Sequence, residues 1–88
     1  MRINPNLKIR NVAGENVVIM PNDGTSDLTS VLSLNESSKF LWEKLSAGEF
    51  EVADAAALLV AEYGIDEVLA KSDAAAWVNQ LSQVGALL

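Results

Sequence analysis

At Asn35 the spacing of apolar residues switches from a period of two to a period near 3.6, and this switch constrains the fold more than any other feature. Val31-Leu32-Ser33-Leu34 reads as a short strand, and Glu36 to about Ser46 reads as an amphipathic helix that starts at once. Asn35 is the expected cap. An Asn there accepts a hydrogen bond from the free N–H groups of the first turn, and Glu36 just inside places negative charge at the positive end of the helix dipole. Strand and helix are therefore held in one fixed junction.

Upstream of that junction the pattern is β. Residues 7–12, Leu7-Lys8-Ile9-Arg10-Asn11-Val12, alternate apolar and polar as a half-buried strand does. Ala13-Gly14-Glu15 interrupts, and the β-branched run over 16–20 returns through a tight turn, so a hairpin is expected. Pro21 ends that run, and residues 21–27 collect most of the turn-formers in the chain. A third strand over 30–34 completes a small sheet. Reached through a long loop, it is expected at an open edge, with unpaired backbone N–H and C=O groups.

Downstream the pattern is helical. In the first helix, 36–46, Leu34, Ser38, Leu41 and Leu45 fall near one line, with Phe40 and Trp42 on its two rims. The second, 52–63, has Val52, Ala55, Ala56, Leu59 and Tyr63 as its expected buried stripe, and Gly64 as its stop. Asp66 caps a third stretch over 66–84, with Ala74, Val78, Leu81 and Gly85 as the stripe. Trp77 and Val84 lie on a flank of that stripe beside Asp73. Ser72 and Asp73 interrupt the apolar run, so one helix and two pieces, 66–71 and 73–84, both fit the spacing. The tail, Ala86-Leu87-Leu88, is apolar enough to return to the core.

Eighty-eight residues allow one domain with a thin core. The chain has no Cys and no His, so thiol and imidazole chemistry, disulfides and Cys/His zinc sites are all excluded. The net charge is −6, unevenly placed. Residues 1–12 hold Arg2, Lys8 and Arg10 and no acid, which is +3, while the rest sets Lys39, Lys44 and Lys71 against all twelve acids, which is −9. An acidic helical half repels phosphate backbones, so nucleic acid is not the expected partner. No apolar run approaches the length of a membrane span, no signal peptide is visible, and the expected location is cytoplasmic.

The acids do not form an active site on paper. Glu36 and Glu43 share a helix with Lys39 and Lys44 and read as a solvated face, and Asp66, Glu67 and Asp73 lack the alternating loop of a Ca²⁺ site. No catalytic residue, metal site or cofactor is expected. Both tryptophans fit either a core position or a binding wall. The second and third helices with their Gly-containing turn also suit a winged-helix DNA-binding or transcription-associated module, against which stands a third helix with Lys71 as its only cation. A structural domain that dimerises through its edge strand is a further alternative.

Several short elements in order carry a family resemblance: Leu34-Asn35-Glu36, Phe40-Leu41-Trp42, Leu45, Gly48 followed by Val52, Glu62-Tyr63, then Asp73, Trp77-Val78, Leu81 and Gly85. Over about residues 7–88 the chain resembles the PqqD family. The resemblance implies an α+β fold, a winged helix-turn-helix with three short antiparallel N-terminal strands followed by three helices. It further implies a non-enzymatic RiPP recognition element. Such a domain binds the leader segment of a ribosomally synthesised precursor peptide and presents it to a maturation enzyme such as a radical SAM enzyme with a SPASM domain. The leader would add beside Val31, Leu32, Ser33 and Leu34 and pack against Asp73, Trp77, Gln80 and Val84 of the third helix. On that reading Trp77→Ala weakens binding more than it weakens the fold. Family members of the pyrroloquinoline quinone pathway carry Pro-Glu-Gly shortly before the Leu-Asn pair. Here Pro21-Asn22-Asp23-Gly24 is different and farther away, and Glu51 replaces the Thr expected before the second helix. A stand-alone relative serving another peptide pathway is the expectation.

Overall fold

The computed structural model describes residues 1–19 and 31–88. The turn-rich stretch 21–27 lies outside the described residues, as do Met20 and Ser30, expected ends of the second and third strands. The order of elements is β1 (Ile9–Val12), β2 (Glu15–Ile19), β3 (Val31–Leu34), α1 (Glu36–Leu45), α2 (Val52–Tyr63) and α3 (Glu67–Gln83). Three antiparallel strands thus precede three helices in an α+β, winged-helix-like arrangement.

The sheet runs in the order β1-β2-β3. Ala13 (φ 52°) and Gly14 (φ 84°) both take positive φ in the two-residue turn between β1 and β2, the hand that matches the twist of the strands. Register aligns Ile9 with Val18 and Val18 with Leu32, so these three side chains share the inner face. β1 begins two residues later than the alternation suggests. Leu7 is still buried, but its N–H bonds to the Asn4 carbonyl at 3.1 Å in a turn.

Each helix start is satisfied locally. Asn35 Oδ1 accepts from the Ser38 N–H at 2.9 Å and from the Ser37 hydroxyl at 3.0 Å. Ahead of α2, where Glu51 stands in place of a hydroxyl cap, Asp54 accepts the Glu51 N–H at 2.7 Å. The carboxylate of Asp66 accepts from Val68 at 3.0 Å and from Leu69 at 3.4 Å. α3 passes through Ser72 and Asp73 without a break. These two polar side chains face water, so the helix has no reason to stop at them.

Two expected faces are rotated, and the α2 stripe keeps Ala55, Ala56 and Leu59 but loses Tyr63. In α3 the buried positions are Ala70, Ala74, Trp77 and Leu81, while Val78 is half-buried and Gly85 is a left-handed turn beyond the helix. Trp77, expected on a flank of the stripe as either core or binding wall, is only 5% exposed and packs on Phe50 with ring centroids 6.0 Å apart. In α1 the core pair is Leu41 and Trp42, so Trp42 belongs to the centre of the face and Leu45 to its margin. Tyr63, expected in the α2 stripe, is 45% exposed and meets half-buried Phe40 edge-on at 5.9 Å.

The two ends of the chain close the core together. Met1 and Phe50 exchange backbone hydrogen bonds at 2.9 and 2.8 Å, Asn4 N–H donates to Ala86 O and Leu88 N–H to Arg2 O, both at 2.8 Å. Ile3 and Ala86 are buried as a result, and Leu88 stays exposed. The first five residues have no periodicity, so nothing in the sequence marks Ile3 as core. Among the described residues no helix is long and apolar enough to cross a membrane.

Candidate functional site

β3 hydrogen-bonds only to β2 among the described residues, which leaves its other side open. Backbone groups of successive strand residues alternate in direction, so about half of a four-residue strand presents N–H and C=O outward. The side chains alternate across the sheet: Leu32 and Leu34 are buried, and Val31 and Ser33 are exposed. Leu32 and Leu34 anchor the strand while its edge remains free.

Where β3 runs into α1, a groove of about 680 Å³ opens between the start of α1 and α3. Its polar rim includes Asn35, Ser37, Ser38, Asp73 and Gln80, and Leu41, Leu59 and Trp77 lie beneath. Asp73 is the only carboxylate in this lining, which contains no Lys or Arg. The fold thus gathers three of the expected α3 residues, Asp73, Trp77 and Gln80, at the β3–α1 junction. Val31, Leu32, Ser33 and Leu34 are not part of the groove wall but lead up to it. Val84 is half-buried at the C-cap of α3 and does not line the groove.

Ser37 and Ser38 are not among the site residues expected from the sequence, which puts Ser38 on the inner line of α1 with Leu41 and Leu45, yet both line the groove. The signal was present: two hydroxyls in the first turn of a helix that directly follows an edge strand must lie close to that edge. Trp77 carries a second feature invisible in the sequence. Its indole Nε1–H is buried without a hydrogen-bond partner, the one side-chain nitrogen or oxygen among the described residues in that state. Buried indole N–H groups nearly always find an acceptor, and leaving one unpaired costs about 1–3 kcal/mol.

Among the described residues no cluster of three or more His, Cys, Asp or Glu could hold a metal ion. The arrangement offers backbone hydrogen-bonding groups along an edge among the described residues, then a groove with a polar rim and an apolar floor.

The family model described as coenzyme PQQ synthesis protein D (PqqD) matches residues 15–87. The chain belongs to the PqqD family. The matched stretch runs from β2 through α3, so both the open strand and the groove of this PqqD-family chain fall within it. Among solved structures, the chain is similar to a lasso peptide synthetase B1 described as complexed with the leader peptide, at 28% identity and a TM-score of 0.70, over 99% of this chain and 95% of the other. No curated protein sequence matches.

Proposed function

We propose that this PqqD-family chain is a non-catalytic binder of the leader segment of a ribosomally synthesised precursor peptide. The leader adds as a further strand beside Val31–Leu34 and continues into the groove between α1 and α3. Asp73, Trp77 and Gln80 read its side chains, with Val84 at the far end of the helix. The observation that carries the reading is the open β3 edge leading into that groove. The similarity to a synthetase component described with a leader peptide supports it.

The peptide is then handed to a maturation enzyme, of which a radical SAM enzyme with a SPASM domain is one type. The departures at Pro21-Asn22-Asp23-Gly24 and Glu51 favour a pathway other than pyrroloquinoline quinone synthesis. The test is titration of ¹⁵N-labelled protein with the leader of the precursor encoded beside its gene. Amide shifts are expected over 31–34 and 73–84. Absence of any shift at millimolar peptide refutes the proposal.

A further inference from the structure

The sheet has a second open side. β1 pairs only with β2 among the described residues, so its outer edge is as free as that of β3. A cleft of about 640 Å³ opens beside it, between the N-terminal arm, the inner face of the hairpin and α1. Its lining includes Lys8, Asn11, Asn16, Lys39 and Glu43. Asn11 and Asn16 are cross-strand partners, so their carboxamides project side by side from one face of the sheet.

The charge of this cleft has the opposite sign to that of the leader groove. Two lysines face one glutamate here, whereas Asp73 stands without a cation there. Arg10 lies on β1 itself, and residues 1–12 sum to +3 in a chain of net −6. Lys39 is not committed to its neighbour: its Nζ lies 3.7 Å from Glu43 Oε1 with the two side chains 43% and 58% exposed, a geometry that contributes little. A carboxylate brought in by a partner competes readily for it.

We infer that the β1 edge and its cleft form a second docking surface, whose occupant is an acidic, extended segment of another protein. The segment adds beside Ile9–Val12 through its backbone and places carboxylates near Lys8 and Lys39, with Asn11 and Asn16 as neutral hydrogen-bonding partners. α1 separates the two surfaces. Asn35, Ser37, Ser38 and Leu41 face one, and Lys39, Trp42, Glu43 and Ser46 face the other. Both can be filled at once, so a chain of this size can join two partners without competition between them. This inference does not depend on what occupies the β3 side.

The test uses the whole ¹⁵N-labelled protein and two short synthetic peptides, one alternating Glu with Val and the other alternating Lys with Val. The Glu peptide is expected to shift amides over 8–12 and 39–46, to bind at least tenfold more weakly to the Lys8→Glu/Lys39→Glu variant, and to weaken with added salt. The Lys peptide is expected to leave those amides unchanged. Circular dichroism of the variant, altered only at partly or fully exposed positions, checks that its fold is retained. Equal binding of the two peptides, shifts confined to 31–34 and 73–84, or no shift at millimolar Glu peptide each overturns the inference. So does concentration-dependent shifting of 8–12 without peptide, which would assign the surface to a second copy of the chain.

Discussion

Trp77→Ala sets two effects of opposite sign against each other. With Trp77 only 5% exposed, nearly its whole side chain is lost from the core on truncation. A tryptophan buries about 150–250 Å², worth about 4–6 kcal/mol at about 25 cal/mol per Å², and large-to-small changes of this kind cost about 3–5 kcal/mol. The same substitution removes a buried N–H that has no partner, which returns about 1–3 kcal/mol. Taking the middle of each range, the expected net loss is about 2 kcal/mol. In a domain of this length that lowers Tm by about 8–16 °C. The substitution is thus expected to weaken the fold as well as any binding. Trp77→Phe is the informative change: a ring remains against Phe50 while the N–H goes, so stability is expected to stay within about 1 kcal/mol of the parent. Trp42→Phe, at a similarly buried ring whose N–H is not a buried unpaired group, has no such gain to offset its lost ring volume. Urea unfolding followed by far-ultraviolet circular dichroism measures all four proteins. The reasoning fails if Trp77→Phe loses as much as Trp77→Ala, or if Trp77→Ala loses less than about 1 kcal/mol.

Other expected outcomes are local. Asn35→Ala removes the cap of α1 and costs about 1 kcal/mol in thermal or urea unfolding. Gly64→Ala meets nothing within 4 Å but must hold φ near +63°, so its cost of about 1 kcal/mol is purely conformational and is likewise read from unfolding curves. Ala13→Asn, which turns the hairpin into Asn-Gly, raises stability by about 0.5–1 kcal/mol because Asn tolerates positive φ better than Ala. Elution of the protein from a heparin column at low salt without retention is expected from the acidic helices, and firm retention would reopen the DNA-binding alternative.

The sequence alone determined the elements and their junctions. Period two up to Leu34, a cap at Asn35, glycine after α2 and Asp66 ahead of α3 are local signals, written by residues that contact their own neighbours along the chain. The same holds for the absence of His and Cys and for the uneven charge. Helix faces were legible only to within about one position, because a stripe near 100° per residue has two margins and only the packed neighbour decides which is inside. Phe50 draws Trp77 in, and Phe40 holds Tyr63 at the surface. The tertiary structure alone decided that Ile3 is core, since its burial depends on Leu87 and Ala86 more than eighty residues away. It also decided that α3 faces the β3–α1 junction, that the Trp77 indole N–H is buried without an acceptor, and that a second cleft of opposite charge lies across α1. These are relations between elements distant in sequence, set by how the sheet, the helices and the two chain ends share one core, and no pattern along the chain records them.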